Sequence, residues 1–190
     1  IATGCVHIRQ ELVIREDGSA RLTCGYSQPE DTVELAAKAI RAANGTAEAS
    51  DPPAWWTNRS ATAKFLEETG FRLERHQSFT RDGRRHTRIE CRVDNLAKAC
   101  GKGPLAGFRI AETQQGHVAL SADVPPAPRE NARLDRLPDG FRLQLEVTVP
   151  TSIVSTTGTQ LDERTASWTV DKTRMAEGSW PTINVTFAPR

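Results

Sequence analysis

The chain has 190 residues and a formal net charge of +1, from 25 basic and 24 acidic side chains. That length supports one domain with a full core of its own. The balanced charge leaves no footprint for nucleic acid, and no apolar run of about 18 residues spans a bilayer as a helix.

Residues 1–5, "IATGC", are small or apolar and run into Cys5. They read as the tail of an export signal ahead of an anchor cysteine, with one α+β domain over 6–190. Residues 6–26 predict a β-hairpin around Arg15-Glu16-Asp17-Gly18-Ser19, a type I turn closed by a left-handed glycine. A three-residue loop pairs Ile14 with Ala20, Leu12 with Leu22, Gln10 with Cys24 and Ile8 with Tyr26. This register gathers the large apolar residues, except Val6 and Val13, on one face. Cys24 points inward. Cys5 has the opposite parity, at the hairpin's open end.

Residues 27–45 predict a helix, with Ser27 and Glu30 as a capping box and Asn44-Gly45 as its stop. "TAEASDPPAWWTN" (46–58) reads as a loop, and a second helix spans about 60–69, ended by Gly70. A second hairpin follows, turning at Arg81-Asp82-Gly83 with the same chemistry as the first. Phe71, Leu73, Ile89, Cys91 and Val93 share its buried face; Arg72, Glu74, Arg88, Glu90 and Arg92 share its wet face.

"DNLAKACGKGP" reads as a short helical turn and loop, and strands follow near 108–111 and 117–124 around Gln115-Gly116. Residues 124–140 are a long polar connector. "FRLQLEVTVP" (141–150) alternates perfectly and predicts a strand. "SIVSTTG", "RTASWTV" and "PTINVTF" add three strand-like pieces. The fold class is α+β: a mostly antiparallel sheet built from hairpins, two helices on one face, and a β-rich C-terminal part.

Three stretches carry a resemblance: the "GC" followed by a strand and "REDGSARLT"; a helix followed by an "RDG" hairpin that ends in "IECRVDNLAKA"; and "FRLQLEVTVPTSIVSTTGTQLDERTASWTV". The last resembles the pattern strand, Pro150, Ile153-Val154, Gly158 and Trp168 of a family of bacterial envelope lipoproteins, the mycobacterial LppM-like group. Thr157 stands where that family usually has asparagine, and Ala2 where a lipoprotein signal usually has leucine. The resemblance implies an exported protein at the cell envelope, an anchored soluble domain, binding of a lipid or glycolipid, and no catalytic residues.

Several residues are candidates for function. Cys5 has Gly4 before it, as peptidase cleavage requires, and its thiol would take the lipid; two or three acyl chains hold a protein on a membrane stably. The alternative is an ordinary cysteine at a strand start. Trp55 and Trp56 follow two prolines, as an aromatic lip for a membrane or ligand, or with one of them capping the core. Arg81, Arg84, Arg85, His86 and Arg88 form a cationic hairpin tip suited to lipid phosphates or an acidic partner, or a solvated turn. Cys91 and Cys100 form a possible disulfide, since the chain turns back after Val93; Cys24 pairing with either is the alternative.

No CxxC pair, HExxH, GxSxG or phosphate-cradling loop is present, so no metal and no cofactor are expected. The expected function is non-enzymatic: an envelope lipoprotein that binds a lipid, glycolipid or other apolar ligand. The alternatives are an accessory subunit packing on a larger envelope complex, and an enzyme of unrecognised class.

Overall fold

The computed structural model describes residues 6–29, 56, 58–122, 140–176 and 182–189. The first hairpin, β1 (His7–Ile14) and β2 (Ala20–Pro29), has the predicted register throughout. Its turn explains why. Asp17 Oδ1 accepts the Ser19 amide at 2.9 Å, and Gly18 takes a φ of 77°, where a side chain would be strained. Val6 corrects the sequence reading: it is buried and shares the parity of Ile8, leaving Val13 on the wet face.

β2 does not stop at Tyr26. It continues to Pro29, paired with the second hairpin down to Arg84. The predicted helix therefore does not begin at Ser27, because that ladder takes the backbone of residues 27–29; residues 30–45 lie outside the described residues. α1 (Arg59–Glu68) is the predicted second helix, with Asn58 accepting the Ala61 amide at 2.8 Å as its N-cap. It buries Thr62 and Leu66 and lies against β3.

β3 (Arg72–Arg81) and β4 (Arg84–Val93) form the second hairpin. Its turn has two residues rather than three: Asp82 and Gly83 both have positive φ, 53° and 69°, the form that follows the twist of a tight hairpin. The register shifts between Leu73 and Arg75. This bulge lets Phe71 and Leu73 face the core at one end of the strand while Phe79 faces outward at the other.

After α2 (Leu96–Ala99) and a 3-10 turn (Gly103–Leu105), β5 (Phe108–Glu112) and β6 (Val118–Ala122) form a hairpin. β7 (Arg142–Thr148), β8 (Ile153–Thr156), β9 (Thr159–Gln160), β10 (Thr165–Asp171), α3 (Lys172–Ala176) and β11 (Ile183–Phe187) are the remaining elements among the described residues. The predicted connector, up to residue 139, lies outside the described residues.

The strands form two sheets where the sequence reading expects one. The larger has seven strands in the order β3-β4-β2-β1-β7-β10-β9; the smaller has four, β5-β6-β11-β8. Among the described residues all pairings are antiparallel except β1 with β7. Both sheets contribute to one apolar core, with Leu12, Leu22, Ile89 and Val147 from the larger and Leu120 and Val185 from the smaller fully buried. Each such side chain contributes about 1.5–3 kcal/mol.

Candidate functional site: a trough on the outer sheet face

Residues paired across strands project to the same side of a sheet, so its outer face can be followed in rows. From β3 to β10 the first row is Phe79, His86, Ser27, His7, Arg142 and Asp171. The second is Gln77, Arg88, Gly25, Arg9, Gln144 and Thr169. The third is Arg75, Glu90, Thr23, Glu11, Glu146 and Ser167.

The arginines of the second row lean back onto the carboxylates of the third. Arg9 Nε lies 2.8 Å from Glu11 and its Nη2 3.2 Å from Glu146; Arg88 Nε lies 2.9 Å from Glu90. Between Arg9 and Arg88 the lattice has Gly25, with no side chain. A trough of about 470 Å³ opens over Gly25 and Ser27, walled by Phe79 and His86 on one side and by His7, Arg142 and Gln144 on the other.

Phe79 is 53% exposed, although it is a large apolar residue. Its ring stacks on His86 at 5.0 Å with an interplanar angle of 12°. Arg84 reaches along the same face: its Nε donates to Ser27 Oγ at 3.0 Å and its Nη2 to the Ser27 carbonyl at 3.1 Å. Arg142 has no carboxylate within ion-pair distance among the described residues. Asp171, its cross-strand neighbour, accepts the Arg174 amide instead, at 2.9 Å. Burial, then the charges of Arg84 and Arg142, hold the His7 imidazole below its usual range. The trough is thus bordered by Arg84 and Arg142, with an aromatic platform at one end and a floor without bulk. That arrangement suits an oxyanion attached to a flat or cyclic group.

The residues predicted from sequence separate into groups. Arg88 lines the trough, Arg84 borders it through Ser27, and His86 belongs to its wall. Arg81 sits at the exposed hairpin end, 3.4 Å from Asp82. Arg85 lies on the opposite face, where its Nε donates to Ser78 Oγ at 3.2 Å, so the five-residue tip is not one surface. Trp56 is not a lip: it is 6% exposed and stacks on Tyr26 at 5.2 Å, capping the core, with its carbonyl 3.1 Å from His76 Nε2. Trp55 and Cys5 lie outside the described residues.

The Cys91–Cys100 bridge is not formed: Cys24, Cys91 and Cys100 are free thiols. Cys91 faces the core within β4, whereas Cys100 follows α2, which Asn95 caps by accepting the Lys98 amide at 3.0 Å; the chain leaves the sheet there instead of doubling back. Burial pushes the Cys24 thiol up to about 12 and raises Cys91 and Cys100 as well, the reverse of what a nucleophile needs.

Sequence reasoning missed His7, Arg142, Gly25 and Phe79. Two signals were available. A glycine in mid-strand marks a place where something approaches closely. Phe79 is the lone large apolar residue in the polar half of its hairpin.

No protein-family model matches the chain, and no curated protein sequence matches it. Among solved structures, yeast LTA4 hydrolase in complex with bestatin is 9% identical over 98% of this chain and 29% of its own, at a TM-score of 0.38, too slight a likeness to carry an argument. The folded domain of the Mycobacterium tuberculosis protein LppM, solved by NMR, is 12% identical over 99% of this chain and 92% of that one, at a TM-score of 0.54. The chain therefore has an LppM-like fold.

Proposed function

We propose that the chain is the folded domain of an exported envelope lipoprotein, tethered through Cys5, which binds the headgroup of an acidic lipid or glycolipid and performs no chemistry. The observation that carries this reading is the first row of the outer sheet face. There Arg142 has no carboxylate within ion-pair distance among the described residues, His7 and His86 flank Ser27, and Phe79 offers an exposed ring. A polar, open trough fits a headgroup better than an acyl chain, which needs a closed apolar cavity.

The placement of the tether supports the same reading. His7 follows Cys5 by two residues, a span of at most about 7 Å. An acyl chain on Cys5 would therefore hold the first row against the bilayer surface, where lipid phosphates are densest. The LppM-like sequence pattern and the LppM-like fold agree with an envelope lipoprotein.

Two measurements test this. The intact mass of protein taken from its own membranes is expected to carry a diacylglycerol near Cys5; an unmodified soluble mass refutes the tether. Protein with Cys5→Ser is expected to co-sediment with vesicles containing phosphatidylglycerol and not with pure phosphatidylcholine. Arg142→Gln and Phe79→Ala should each weaken that binding several-fold; equal binding by all three proteins refutes the trough as the site.

A further inference from the structure

We infer that occupation of the trough is coupled to proton uptake by His7 and His86, so that an acidic headgroup seated over Ser27 binds more tightly as the pH falls. This rests on the headgroup reading and adds its regulation. Ser27 stands between the two imidazoles in the sheet, His7 opposite it on β1 and His86 opposite it on β4. A group held over Ser27 therefore meets both rings at once, one from each neighbouring strand.

The charges around these rings decide the direction. Around His7 stand Arg84 from β4, Arg142 from β7 and Arg9 two residues along β1. Around His86 stand Arg84 and Arg88 on its own strand, with Phe79, Gln77 and Arg81 on β3. Among the described residues, Glu11, Glu90 and Glu146 lie in the third row and hold Arg9 and Arg88 there, and Asp82 lies beside Arg81 at the hairpin end. Asp171, beyond Arg142, is turned to the Arg174 amide. In the empty trough His7 is partly buried and faces Arg84 and Arg142, so burial first, and then these cations, oppose a positive charge on its ring. His7 accordingly stays neutral to lower pH than usual. An oxyanion over Ser27 reverses that field and favours imidazolium on both sides. Whatever the anion does to proton affinity, protons do equally to anion affinity.

The test uses a ligand that does not titrate. The phosphodiester of phosphatidylglycerol keeps its charge between pH 5.5 and 7.5, so any pH dependence belongs to the protein. Binding of the Cys5→Ser chain to phosphatidylglycerol–phosphatidylcholine vesicles is measured at both pH values and one ionic strength. The expected affinity ratio is about tenfold in favour of pH 5.5. In the double variant His7→Gln, His86→Gln the ratio is expected to fall near one. His76 and His117 remain in both proteins, so the comparison isolates His7 and His86. Two-dimensional NMR of the imidazoles supplies a second readout: the titration midpoints of His7 and His86 should move up with vesicles or short-chain phosphatidylglycerol present. Binding that is independent of pH, or a ratio that survives the double variant, overturns the coupling and leaves the headgroup reading standing. Binding that is absent at both pH values overturns the headgroup reading, and the coupling with it.

Discussion

Gly158 lies so close to Trp168 that a Cβ built on it would stand 2.6 Å from the indole ring and 2.8 Å from the Ser167 carbonyl. At this point the chain leaves β8 of the small sheet and enters β9 of the large one. It can pass there only because it carries no side chain over the ring. Trp168 is buried beneath it.

Gly158→Ala is therefore expected to destabilise the protein by about 1–3 kcal/mol, the usual cost of forcing extra volume into a packed site. Urea unfolding should show a lower midpoint with an unchanged slope. A midpoint equal to that of the parent would mean that the crossing has slack.

Thr157, the residue before, joins the two sheets. Its Oγ1 accepts the Trp168 Nε1–H at 3.2 Å and the Asn184 amide at 3.0 Å, and donates to the Thr182 carbonyl. Thr157→Val keeps the shape and removes all three bonds. The expected loss is about 1–3 kcal/mol, because the buried indole N–H is left without its acceptor. Tryptophan fluorescence during denaturation reports it; Thr157→Ser, which keeps the hydroxyl, should recover most of the stability.

Gly25 gives a test in the other direction. A Cβ there would meet only Arg9, at 3.8 Å and beyond, which is ordinary contact. Since glycine within a strand costs roughly 0.5–1 kcal/mol relative to alanine, Gly25→Val should leave the melting temperature unchanged or raised. Its side chain would fill the trough floor, and vesicle binding should fall at least tenfold. Undiminished binding would place the ligand elsewhere on the molecule.

The His7 shift makes folding stability depend on pH. The unfolded imidazole titrates near 6.5 and the folded one lower. Between the two, the unfolded chain holds more protons, so stability rises with pH and is lost as pH falls through that window. Urea midpoints without lipid should drop between pH 7 and 5.5, and His7→Gln should make the drop shallower. An identical drop in the variant would assign the effect to other groups.

The thiols make an order of reactivity. In Cys5→Ser protein, Cys100, which is half-buried, is expected to react first with an alkylating reagent. Cys24 and Cys91, both buried, should react only on unfolding. Mass spectrometry of native protein should show one adduct; rapid addition of three would contradict the buried placement of β2 and β4.

What the sequence discloses follows the range of the interaction. The register of the first hairpin is legible to the residue, because Asp17-Gly18 sets the turn and alternation sets the pairing. The Leu73–Arg75 bulge is not, since only the tertiary setting turns Phe79 outward. Arg84 and Arg88 stand out as local charges, whereas the meaning of Arg142 depends on a parallel pairing that no local pattern encodes. Trp56 shows the same limit: two tryptophans after prolines mark an aromatic cluster, but not that Tyr26 receives one of them.

The parallel β1–β7 pairing also fixes when the site comes into being. Arg9 and Glu146, joined across it, are 137 residues apart in the chain. As the polypeptide emerges amino end first, His7, Ser27, Phe79 and His86 are available early, and β1 has one bare edge that invites pairing with the wrong chain. Only the arrival of β7 covers that edge, and the same step delivers Arg142 beside His7. A chain that ends before β7 therefore lacks both the shield and the arginine. On the function proposed above, ligand binding begins only once β7 has joined the sheet.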